Sequence, residues 1–134
     1  MIKYLGLYGL TTAVFFAMDF VWLSTATDRI YKPYVGNLLL EKPNVPVAAA
    51  FYLMYVVGVL VLASLPGYEK GSLIVAVTRG ALFGLLAYAT YDLTNLATLK
   101  GWAWQVSVID MIWGATLTGT VSVAGYLFAR WLKI

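Results

Sequence analysis

The chain has 134 residues, of which 62% are apolar and only 11% charged, against about 25% charged in an ordinary soluble domain. With a mean hydropathy of +0.83, nine Lys and Arg and six acids cannot cover an aqueous surface, so most of the chain is solvated by lipid. There is no cysteine and no histidine, which excludes disulfides, thiolate metal sites, His-ligated haem, Ser–His–Asp triads and histidine proton shuttles. The net charge of +3 is spread between apolar runs, and without a clustered basic stripe no nucleic-acid partner is expected.

Four apolar runs follow in chain order, each near the roughly 20 residues a helix needs to cross a bilayer. They fall at about Tyr4–Thr25, Pro46–Leu65, Ser72–Thr98 and Trp104–Trp131. Ala26–Val45, Pro66–Gly71 and Leu99–Ala103 connect them. No ten-residue segments of alternating polarity occur, so a barrel is not indicated. The fold class is an all-α integral membrane protein, a four-transmembrane-helix bundle forming one membrane domain over residues 1–134. The first run is long and carries Asp19, so it reads as a spanning helix rather than a cleaved signal sequence. Lys3, Lys70, Arg79, Arg130 and Lys133 fall on the terminal side, against Arg29, Lys32, Lys42 and Lys100 on the other. That one-charge excess places both termini in the cytoplasm. Tyr4, Trp102, Trp104 and Trp131 fall at headgroup depth.

Three of the six acids, Asp19, Asp92 and Asp110, sit inside the apolar runs. Asp19 and Asp92 lie six residues before the ends of their spans, and Asp110 lies six after the start of its own. Because the chain alternates direction, all three fall about 9 Å below the same membrane face at 1.5 Å of rise per residue. Asp19-Phe-Val-Trp22 and Asp110-Met-Ile-Trp113 each put an acid and an indole one turn apart on one helix face, and Asp92-Leu-Thr-Asn95 puts an amide in the indole's place. Thr25, Thr98 and Thr116 each follow an acid by six residues. Tyr88 shares a stripe with Asp92 and Asn95, and Tyr52 and Tyr55 enter from the second helix at similar depth.

A purely structural alternative is that these acids tie helices together through hydrogen bonds. An Asp costs about 2.5–3.5 kcal/mol at the centre of a span, whereas an interhelical hydrogen bond returns about 0.6–2 kcal/mol. Adhesion alone therefore accounts poorly for three of them. The reading is a ligand-binding or proton/cation site built from Asp19, Asp92, Asp110, Asn95, Tyr52, Tyr55, Tyr88, Trp22 and Trp113. Three crowded carboxyls could relay a proton, or two could hold a hard cation, though no metal site and no cofactor is assigned.

The Ala76/Gly80/Gly84 stripe and the Gly114/Gly119 face suit close helix packing, either within the chain or in a homo-oligomer. The basic-aromatic run from Asp28 to Tyr34 reads as an interfacial segment, with a lid over the site as the alternative.

Asp19-Phe-Val-Trp22-Leu, Ala50-Phe-Tyr52-Leu-Met-Tyr55-Val-Val-Gly58, Tyr88-Ala-Thr-Tyr-Asp92-Leu-Thr-Asn95 and Asp110-Met-Ile-Trp113-Gly114 resemble the bacterial domain of unknown function 2177 family. That resemblance implies four transmembrane helices and residence in the bacterial inner membrane, and it brings no established activity. The expected function is binding of a small molecule, lipid or cation, in its active form proton- or cation-coupled transport. The alternative is an accessory or assembly subunit of a lipid-modifying membrane enzyme complex, with the acids as a structural network. No phosphotransferase motif is present, and catalysis is the less favoured class. Membrane lipids, a second copy of the chain and a larger membrane complex are the expected partners.

Overall fold

A computed structural model describes residues 1–134, and its architecture is all-helical with four membrane-length rods. The first rod is α1, Ile2–Ala26, continued by a π-helical turn Thr27–Tyr31, the short helix α2, Lys32–Val35, and a 3₁₀ turn Gly36–Leu38. The second is α3, Val45–Val59, continued by a π-helical turn Leu60–Ser64 and α4, Leu65–Glu69. The third and fourth are α5, Leu73–Thr98, and α6, Trp104–Leu132.

Local chemistry sets several of these ends. The Asn44 side chain accepts from the Val47 N–H at 3.3 Å to start α3, and the Ser72 hydroxyl accepts from the Val75 N–H at 3.2 Å to start α5. Gly71 and Gly101, at φ +61° and +76°, take the left-handed backbone that the two tight connections require. Two expected boundaries are corrected. The segment from Ala26 to Val45, expected as a connection, stays helical through Leu38, and the second helix runs to Glu69 rather than stopping at Leu65. Both corrections involve a proline. In a regular helix the rings of Pro33 and Pro66 would strike the carbonyls of Arg29 and Leu62, four residues back. Each of those carbonyls lies in a π-helical turn, whose wider ladder accommodates the ring.

Packing centres on α6. Half of its most apolar window is buried, against 17–22% for the other rods, whose remaining surface faces outward as lipid-facing apolar side chains. The tightest pairing is α5 on α6, and small residues make it so. A Cβ on Gly84 would collide with the Gly114 carbonyl and sit 2.6 Å from Thr118 Cβ, and one on Gly80 would meet Ser122. Gly114 in turn lies under the Tyr88 ring. Gly80, Gly84 and Gly114 are thus consumed by contacts within the chain, while Gly119 has room for a methyl, 3.6 Å from Ala81. Leu7, Phe15, Val56, Val59, Leu117 and Val121 complete a dry core between α1, α3 and α6. Two buried hydroxyls there are paired, Tyr55 with Thr118 at 2.7 Å and Ser64 donating to the Ser122 carbonyl at 2.9 Å, whereas those of Thr11 and Thr12 on α1 have no partner.

The Lys3 ammonium donates to the Lys133 carbonyl at 3.3 Å, so both termini share one face. The 39–44 segment and the 99–103 turn lie at the opposite face, and there the helices diverge.

Candidate functional site

A cavity of about 1590 Å³ opens at that opposite face, between the C-terminal half of α1, the π turn and α2, the N-terminal turns of α3, the end of α5 and the start of α6. Asp19, Trp22, Tyr52, Tyr88, Asn95, Asp110 and Trp113 all line it. Asp19 and Asp110 are 5% and 8% exposed, so both carboxyls are withdrawn from the surface and directed inward. Tyr52 stands beside Asp19, and Tyr88 is within electrostatic reach of both Asp19 and Asp110.

The remaining two expected site residues lie elsewhere. Asp92 is fully buried behind the cavity wall, where its carboxyl faces that of Asp110. Neither of its oxygens has a hydrogen-bond donor. Its backbone carbonyl accepts from the Ser107 hydroxyl at 2.8 Å, which in turn accepts from the Trp102 indole at 2.9 Å. This chain ties the end of α5 to the start of α6. Tyr55 is a core residue: its ring stacks on Phe83 at 5.0 Å and its hydroxyl is taken by Thr118, so it does not reach the cavity. The threonines six residues beyond each acid also point elsewhere. Thr25, Thr98 and Thr116 return their hydroxyls to carbonyls of their own helices, which satisfies them locally.

Several residues join the wall that periodicity did not single out for it: Tyr31, Phe51, Tyr91 and Trp102. Tyr31 matters most. Its hydroxyl donates to Asp110 Oδ1 at 2.5 Å and accepts from the Trp22 indole N–H at 3.0 Å. Trp22 lies flat on Trp113, with ring centroids 4.5 Å apart and planes 7° from parallel. The two D-x-x-W pairs are therefore linked, Trp22 to Trp113 by stacking and Trp22 to Asp110 through Tyr31. The Trp113 indole N–H is buried without an acceptor.

Sequence spacing hid Tyr31 for a geometric reason. Nine residues separate it from Trp22, which in a regular helix turns about 180° away. The π turn takes up one extra residue and brings that angle down to about 80°, on the cavity side. The run from Asp28 to Tyr34 is accordingly part of the cavity wall, with Lys32 at its edge held in an exposed ion pair to Asp28 at 2.9 Å.

Lys32–Asp28 is the one ion pair of the structure, so Asp19, Asp92 and Asp110 have no protein cation beside them. The three carboxyls are also not grouped closely enough to ligate a single metal ion together. Chemically, the arrangement offers inward carboxyls, a hydroxyl latch, an amide and broad aromatic faces around a large, mostly apolar space.

Four spanning helices packed around this cavity define a multi-pass membrane protein. A family model described as predicted membrane protein, domain of unknown function 2177, matches residues 4–127, and the chain belongs to that family. No curated protein and no solved structure matches the chain.

Proposed function

We propose that this protein is a membrane-embedded binding protein that takes a small molecule, lipid or cation into the cavity beneath the face opposite its termini. Asp19 and Asp110 supply charge, and Asp92 faces Asp110 from behind the cavity wall as a second, unpaired carboxyl. Asn95, Tyr52 and Tyr88 orient the ligand, Trp22 and Trp113 wall it, and Tyr31 holds Asp110 in place. The observation that carries the reading is the pair of inward, cation-free carboxyls in the wall of one large aromatic cavity. An acid inside a membrane is costly, and it is kept where it serves a ligand or proton path. In the bacterial inner membrane with cytoplasmic termini, the cavity faces the periplasmic side, and proton- or cation-coupled passage is its active form.

Native mass spectrometry of gently extracted protein tests this. A non-protein mass carried by the wild type and lost from Asp110→Asn supports it. Wild type that flies bare, or bound only to one stoichiometric protein partner, moves the assignment to an assembly subunit.

A further inference from the structure

Resting on that binding role, we infer that the cavity is selective for lipophilic organic cations: a positively charged ammonium- or phosphonium-type centre carrying apolar bulk. Four observations converge on this class. Asp19 and Asp110 are both more than nine-tenths buried and face one cavity, yet no Lys or Arg pairs with either. A buried charge without a counter-ion is costly, and a cationic ligand would supply the missing charge. The same walls contain Trp22, Trp113, Tyr52 and Tyr88, and an aromatic ring attracts a cation held over its face within about 6 Å of the ring centre. A desolvated cation suits these two elements together, whereas an anion would be repelled by the carboxyls and a neutral ligand would leave them uncompensated.

Size and lining exclude the inorganic cations. At about 1590 Å³ the cavity exceeds the roughly 300–1,000 Å³ typical of drug-sized sites, and most of its lining is apolar. A bare metal ion would leave that volume unfilled, and three carboxyls are not within reach of a single ion. Beyond the acids, the lining continues over Val35, Leu38, Leu39, Leu40 and Leu99, a surface for hydrocarbon rather than for water. The one cation at the rim, Lys32, is engaged by Asp28 and does not compete for the inner carboxyls.

Tetraphenylphosphonium and tetraphenylborate separate charge from shape, because the two ions share size and apolar surface and differ in sign. Equilibrium binding is measured on the full chain in phosphatidylcholine nanodiscs, with protein-free discs subtracted. The expected result is saturable binding of the phosphonium and none of the borate. Asp19→Asn weakens the phosphonium at least tenfold, while Asp19→Glu, which keeps the charge, retains it. Size-exclusion profiles of both variants report that the bundle is intact. Equal binding of the two ions overturns the inference, as does an Asp19→Asn protein of unchanged affinity. If neither ion binds while a neutral lipid co-purifies with the wild type, the cation preference falls and the binding role stands. If neither ion binds and nothing co-purifies, both fall.

Discussion

Tyr31 and Asp92 have opposite relations to the same carboxyl. Tyr31 gives Asp110 a donor at 2.5 Å, and Asp92 faces it with two oxygens that receive none. Removing the Tyr31 hydroxyl with Tyr31→Phe strands one oxygen of Asp110 and the indole of Trp22, at a cost of about 1–2 kcal/mol. Unfolding by titration with a denaturing detergent, with tryptophan emission as the signal, should record that loss together with a shifted spectrum from the stacked Trp22–Trp113 pair. Asp92→Asn is expected to act in the other direction. The amide keeps the volume, removes a facing carboxyl and offers Asp110 a donor, so stability rises by about 1 kcal/mol in the same titration. A destabilised Asp92→Asn protein would show that Asp92 has a donor this geometry lacks. At this scale the sequence was informative where helical periodicity holds. The positions of Asp19, Trp22, Asp110 and Trp113 followed from the rise and turn of a regular helix. Depth and face put Tyr55 at the site, but they do not say which neighbour a side chain meets. Thr118, one helix away, takes its hydroxyl.

Helices in this protein are shaped by two opposite devices, close approach and local widening. Close approach is concentrated at α5–α6, where Gly84 lies against the Gly114 carbonyl. Gly84→Ala must push the helices apart, with an expected loss of about 1–3 kcal/mol, whereas Gly119→Ala, with 3.6 Å of clearance, should be near neutral. The pair is measured side by side in the detergent titration, and equal losses would refute the assigned faces. Widening occurs at the two π turns, each centred on the carbonyl that a following proline would strike. Pro33→Ala removes the obstacle and lets the first rod relax towards a regular helix, which swings Tyr31 by about 100° away from Asp110. The expected readout is the tryptophan shift of Tyr31→Phe, obtained without touching Tyr31. Hydropathy made the four rods legible because spanning length and apolar content are strong signals. It did not reveal that the first and second rods run on past Pro33 and Pro66. Proline is ordinarily read as a terminator, and the compensating π turn has no compositional mark.

At the scale of the whole molecule, the bundle is asymmetric along the membrane normal. At one end the two termini meet through Lys3 and Lys133, and the other opens into the cavity. The chain has no cysteine, so single thiols can report which end faces which compartment. In cells treated with a membrane-impermeant maleimide, Lys100→Cys should label from outside while Ile134→Cys should label only after permeabilisation. The reverse pattern would invert the orientation and turn the cavity to the cytoplasm. Depth, read from three acids at equal distance from one face, was enough to predict at which end the polar groups gather. It could not predict the volume between them, because a cavity depends on how far four rods splay, and that follows from the π turns and the α5–α6 glycines together.

The central position of α6 has a consequence for biosynthesis. The rod that buries half of its apolar window emerges from the ribosome after the three it packs against. Until residue 104 and those after it are inserted, α1, α3 and α5 lie in the bilayer without their common axis, and Asp19 and Asp92 confront lipid. A nascent chain without α6 therefore holds two acids in the bilayer before the helix that covers them has arrived. The arriving α6 brings Asp110 to the Tyr31 hydroxyl and adds its side of the cavity wall.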